Sequence, residues 1–323
     1  MKKLRILLFL VFFIGILFTL FIFSFKNHKP KSILVKIPEG VSTKEIAAIL
    51  YQKEVIRFPK LFLVLVKLQG NSAHLKKGIY SFNQNSYLGT FKKLEKGLSE
   101  KIKVTIPEGW TSFQIAQRLK SLEILQNEKF FLESVKREDL EGMLFPETYF
   151  FDSMSKPEEV LHAMVLEFNK NYRDEFRIQA RKLQMKDKEV ITLASIIERE
   201  ARMFEEMPTI SSVYHNRLKK KILLQADPTV QYALSGGKYW QEKLIYKDLK
   251  IESPYNTYRA QGLPPGPICN PGRQAIQAAL YPAQTNYLYF VADGLGRHNF
   301  FINYKDHLQK QLSDLKINKK NRK

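Results

Sequence analysis

A single cysteine, Cys269, stands among 323 residues, so no disulfide can form within the chain. The six histidines (His28, His74, His162, His215, His298 and His307) make no HExxH pair, and one thiol cannot complete a zinc cluster. No GxSxG elbow is present, and no Walker or GxGxxG loop, which removes the usual activated-serine and nucleotide-phosphate readings. Neither a metal nor an organic cofactor is expected. Acidic residues are comparatively scarce, with 32 Asp and Glu against 52 Lys and Arg, a formal net charge of +20. Such an excess suits a polyanion: nucleic acid, anionic lipid headgroups or an acidic envelope polymer. The basic residues are scattered, without an Arg-rich or RNP-like segment, so no nucleic-acid partner is expected.

Long apolar runs are absent except at the N-terminus. Ile6 to Phe25 (ILLFLVFFIGILFTLFIFSF) is twenty residues without a charge. As a helix it is about 30 Å long, one bilayer core. The run ends in Phe-Ser-Phe-Lys and lacks a small-x-small cleavage site, which points to a retained transmembrane signal anchor. Lys2, Lys3 and Arg5 precede it and Lys26, Lys29 and Lys31 follow, so charge alone leaves its orientation open. Residues 26–32 read as a polar linker.

A repeat follows. Val35–Leu50 (VKIPEGVSTKEIAAIL) aligns without gaps to Val104–Leu119 (VTIPEGWTSFQIAQRL), with half the positions identical. Each copy predicts a short strand, a turn forced by Pro and Gly, and a helix capped by a Ser/Thr pair. Between them, Gly78–Gly97 reads as a strand, a polar turn, a helix and a glycine stop. The expected fold class is α+β: a small module over 33–103, a larger domain over 104–312 and a basic tail over 313–323. In the larger domain one helical stretch is expected over Lys156–Met185, another over Asp187–Met203 and a third over Met207–Lys221. A Gly/Pro-rich loop spans Ser253–Gly272, a helix starts near Arg273, and a strand covers Asn286–Asp293.

Carboxylates are what remains for chemistry. Glu198 and Glu200 end the apolar run ITLASIIERE. On a helix, Glu198 has Ile191, Ala194 and Ala201 as neighbours, and Glu200 has Leu193, Ile196 and Ile197. Either would be partly desolvated and held protonated near neutral pH. Two positions apart, they point roughly 200° away from each other and cannot serve one bond together. A two-carboxylate glycosidase would need a distant partner such as Asp227 or Glu147. On spacing alone, surface pairing with Arg199 and Arg202 is the more common outcome. The loop SPYNTYRAQGLPPGP brings Tyr255, Asn256 and Tyr258, whose aromatic faces and amide suit the faces and hydroxyl edges of sugars.

In order along the chain, ASIIERE, LQADPTVQY, SPYNTYRAQGLPPGPICNPG and YFVADGLGRHNF resemble the MltG/YceG-like family of endolytic murein transglycosylases. IPEG with its helix, GIYSF and EGMLFPETY resemble the family's upstream motifs, so the resemblance runs from about Ile33 to His307. It implies a membrane anchor with residues 1–5 cytoplasmic, an extracytoplasmic LysM-like module, and a catalytic domain that cuts peptidoglycan glycan strands at the cytoplasmic membrane. It puts the catalytic glutamate on Glu198 and leaves the role of Glu200 open. Asp227, Thr229, Tyr255, Asn256 and Tyr258 become candidate substrate-binding residues. The reaction implied is cleavage between MurNAc and GlcNAc within nascent strands with 1,6-anhydroMurNAc formation, ending elongation, with peptidoglycan synthases as candidate partners. The rival readings are a two-carboxylate muramidase and a non-enzymatic wall-binding scaffold.

Overall fold

A computed structural model describes residues 32–70, 75–241 and 243–320. The predicted anchor, Ile6–Phe25, lies outside these residues. Among the described residues no helix is long and apolar enough to cross a membrane. The chain divides into two compact units, Met1–Lys101 and Ile102–Lys323.

The first unit runs β1 (Ser32–Ile37), α1 (Thr43–Gln52), α2 (Pro59–Leu68), β2 (Gly78–Asn83) and α3 (Tyr87–Lys96). The two strands pair antiparallel, with Val35 opposite Tyr80 and Ile37 opposite Gly78. Alternation along each strand sends Val35, Ile37, Tyr80 and Phe82 inward against Ile46, Leu50, Phe62, Phe91 and Leu94. Ser42 and Glu45 form a reciprocal capping box at the start of α1, and Pro59 opens α2, where a missing N–H costs nothing. Gly97 ends α3 with φ +69°, the left-handed conformation that glycine adopts freely.

The second unit begins with β3 (Ile102–Thr105) and α4 (Ser112–Ser121). Thr111 and Gln114 form a capping box here too, so both copies of the sequence repeat fold as strand, turn and capped helix. After α5 (Glu128–Arg137), β4 (Thr148–Phe151) returns antiparallel to β3, with Val104 opposite Tyr149. This layer encloses Val104, Ile106, Ile115, Leu119, Phe131, Leu144 and Val160.

Lys156–Met185, expected as one stretch, is two helices, α6 (Pro157–Asn171) and α7 (Asp174–Lys182). The chain leaves helical geometry at Tyr172 and Arg173 and restarts with Asp174 and Glu175 in the first turn, where carboxylates favour the positive end of the helix dipole.

The centre of the unit is α8 (Asp187–Glu200), shorter than expected because Ala201 is extended, at φ −73° and ψ 132°. Val190 to Ile197 are all buried, around the whole circumference of the helix. It packs against α9 (Met207–Lys219), α10 (Asp227–Ser235) and α11 (Arg273–Leu280). The predicted strand over Asn286–Asp293 is confined to β5 (Tyr289–Ala292), which pairs with β6 (His298–Phe301) as a hairpin. α12 (Tyr304–Lys320) follows and packs on that hairpin, carrying the helix into the segment expected as a tail.

Candidate active site

Two carboxyl groups leave the last turn of α8 on different sides. Glu198 Oε2 accepts a hydrogen bond from the backbone N–H of Gly272 at 2.9 Å. A Cβ at Gly272 would lie 2.0 Å from a Glu108 carboxylate oxygen, so any larger residue there would push the Glu108 side chain aside. Glu108 comes from the second IPEG turn. Burial raises the Glu198 pKa to about 7, the nearby Glu108 charge pushes the same way, and the Gly272 bond opposes.

Glu200 opens on a cavity of about 310 Å³ on the other side. Burial also holds its pKa at about 7; Asp227 raises it further, while Tyr214, Arg199 and Arg217 oppose. The Tyr214 hydroxyl donates to Glu200 Oε1 at 2.8 Å. Across the cavity the Tyr258 hydroxyl donates to Asp227 Oδ1 at 2.6 Å. Tyr289, Phe290 and His298 from the hairpin, and Tyr304 and His307 from α12, complete an aromatic wall.

Arg217 frames this cavity. It is almost fully buried and donates to the carbonyls of Leu288 at 2.6 Å, Leu223 at 2.9 Å and Leu224 at 3.0 Å. Its guanidinium lies 4.9 Å from the centre of the Tyr289 ring. One buried cation thus ties α9, the 223–225 turn and β5 together, with its charge satisfied by carbonyl oxygens. Glu206, just beyond α8, accepts from the His298 backbone N–H and from its ring at 3.0 and 2.9 Å, fixing the start of β6.

Of the residues expected to bind substrate, Asp227 and Tyr258 meet in the Glu200 cavity. Thr229 and Asn256 do not present their side chains to a ligand, because both are fully buried. Thr229 donates to the Ala226 carbonyl and meets Thr257 Oγ1 at 2.8 Å. Asn256 donates to the carbonyls of Leu249 and Ile251 and accepts from the Tyr258 N–H. They hold the SPYNTY loop against α10, and so aim Tyr258. Tyr255 packs on Tyr232, ring centres 4.8 Å apart, and does not line the Glu200 cavity. Glu147 bonds to the neighbouring Thr148 N–H.

Sequence reasoning missed Tyr214, Arg217, Glu108 and the buried Asn270. Asn270 exchanges backbone hydrogen bonds with the 109–110 turn, accepts from the Leu144 N–H at 2.8 Å, and donates from its amide to the Trp110 carbonyl and to Glu141. Asn270 therefore joins three loops beside α8. Its motif, CNPG, was visible, but its partners lie more than a hundred residues away. Among the described residues no group of three or more His, Cys, Asp and Glu side chains is placed to hold a metal.

Residues 35–312 match the model of the YceG-like family. The chain belongs to the YceG-like family. Within it, the chain is 36% identical to the endolytic murein transglycosylase of Bacillus subtilis (strain 168), over 84% of this chain and 82% of that protein. It is 30% identical to the endolytic murein transglycosylase of Streptococcus pneumoniae (strain D39), over 87% of this chain but 58% of that longer protein. Among solved structures, a YceG-like protein of Listeria monocytogenes superposes with a TM-score of 0.57 at 34% identity, covering 86% of this chain and 98% of that one.

The pair of carboxyls in this YceG-like site makes a testable contrast. Hydrogen bonding from Tyr214 favours the ionised form of Glu200. In Tyr214→Phe that bond is gone, so the Glu200 pKa is expected to rise and the alkaline limb of any Glu200-dependent activity to move to higher pH. A pH–rate profile measures this directly.

Proposed function

We propose that this chain is an endolytic murein transglycosylase whose general acid is Glu200. The observation that carries the assignment is convergence. Glu200, Asp227, Tyr258 and His298 stand in separate motifs of the sequence, yet they line one cavity. The protonated Glu200 carboxyl gives its proton to the glycosidic oxygen between MurNAc and GlcNAc, and the C–O bond breaks through an oxocarbenium-like transition state. The Glu200 carboxylate then takes the proton of the C6 hydroxyl on the same MurNAc, and that oxygen closes the 1,6-anhydro ring. The nucleophile belongs to the substrate, so no second enzyme group has to position water. The negative charge of Asp227 opposes ionisation of Glu200 beforehand and favours the cationic transition state. Aromatic faces from Tyr258 and Tyr289 suit sugar rings.

A second reading keeps Glu198 as the acid. It is favoured by a pKa also raised to about 7 and by the nearby Glu108, which could act as a second carboxylate. Paired substitutions separate the two readings (Discussion). Under either, the acid works when protonated. Turnover is therefore expected to fall about tenfold per pH unit above about pH 7. A flat profile from pH 6 to 9 would sink the single-acid mechanism.

The same reading includes a single-pass anchor at Ile6–Phe25, a catalytic domain outside the cytoplasmic membrane, and a LysM-like first unit in contact with glycan. The enzyme cuts nascent strands beside the synthases that extend them. Digestion of purified sacculi by the full chain, with product masses read directly, tests the activity. An inactive wild-type protein that still binds sacculi would favour a scaffold.

A further inference from the structure

The first unit carries an apolar surface that its own core does not use. On α2, Leu61, Val64 and Leu68 are 53%, 52% and 79% exposed, and Phe58 just before the helix is 60% exposed. Their spacing of three and four puts them on one face. Phe62 and Val66 bury the opposite face in the core. Lys60 and Lys67, seven positions apart, run along one border of the stripe, and Arg57 stands at its start. The unit as a whole is basic: residues 32–101 hold twelve Lys and Arg against five Glu, a net charge of +7.

A helix with an outward apolar stripe edged by cations has the composition of an interfacial helix, which sinks its apolar face to the headgroup level of an anionic bilayer. The sequence also places the unit near such a surface. Six residues, 26–31, separate the apolar run Ile6–Phe25 from β1. Even fully extended they reach about 20 Å. We propose that the Phe58–Leu61–Val64–Leu68 face of α2 is a membrane-contact surface that seats the first unit on anionic lipid. The proposal rests on the anchor described under Proposed function. Glycan contact by this face is the competing outcome.

The full chain, reconstituted in vesicles, provides the test. Cys269 is fully buried, so an introduced surface cysteine is the thiol that labels. Leu61→Cys, Val64→Cys and Leu68→Cys would each carry an environment-sensitive fluorophore, with Glu95→Cys on the exposed side of α3 as the control. In vesicles of phosphatidylcholine with phosphatidylglycerol, the three α2 labels are expected to shift to the blue and to be quenched by nitroxide lipids, and the control label is not. Lys60→Glu with Lys67→Glu is expected to weaken quenching on anionic vesicles. If the chain floats with vesicles but the α2 labels behave as the control does, the contact surface is wrong and the anchor stands. If the chain does not float, the anchor reading fails and the contact surface falls with it. Labels that respond to added glycan strands but not to lipid would overturn the proposal in favour of wall binding.

Discussion

Glu200→Gln is expected to lower the rate of sacculus digestion by on the order of 10²–10⁴-fold, the usual worth of a general acid. Gln keeps the shape of the side chain and can still accept from Tyr214, so the fold should be retained and the loss should appear in kcat. Glu198→Gln is expected to stay within a few-fold of the wild type, because its amide oxygen can still accept the Gly272 N–H bond. Initial rates of soluble-fragment release, with circular dichroism to verify folding, decide the matter. The opposite ranking would return the acid to Glu198 and make the Glu200 cavity a binding site only. Asp227→Asn adds a graded check. Removing that charge should lower the Glu200 pKa and bring the alkaline limb to lower pH, the reverse of Tyr214→Phe.

Asn270→Leu is expected to destabilise the second unit strongly while leaving Glu198 and Glu200 in place. Asn270 is fully buried, and its side chain satisfies the Leu144 N–H and the Trp110 carbonyl and contacts Glu141. Leu leaves the buried Leu144 N–H without its partner and strips one hydrogen bond each from the Trp110 carbonyl, which keeps the residue-270 backbone N–H, and from Glu141, which keeps Ser112. The expected loss is about 3 kcal/mol, or roughly 6–12 °C in Tm for a unit of this size. Thermal unfolding of the variant against the wild type measures it. A shift below about 1 °C would show that the three loops hold together without this side chain.

The sequence made some of this legible. The strand–turn–capped-helix repeats were readable because Pro, Gly and the capping residues act locally, and both copies fold that way. The apolar helix ending in acids was readable because α8 is buried on every side, so its apolar run needed no partner to be recognised. What sequence could not settle was which acid faces the cavity. Glu198 and Glu200 have equally apolar neighbours on the helix. The difference is made by α9, α10 and the β5–β6 hairpin, which arrive from later in the chain to wall in Glu200. The same limit explains Thr229 and Asn256. Their types suit a sugar, but their hydrogen bonds are used within the framework. Arg217 was passed over because a lone arginine on a helix gives no sign that four carbonyl and amide oxygens will surround it.

The most direct test of the central claim, that the substrate's own hydroxyl completes the cleavage begun by one buried acid, is digestion of sacculi in water enriched in heavy oxygen, with mass analysis of the new ends. The account predicts anhydro ends that are one water lighter than reducing ends and carry no label. Reducing ends that carry the heavy oxygen would mean that water is the nucleophile and would contradict it.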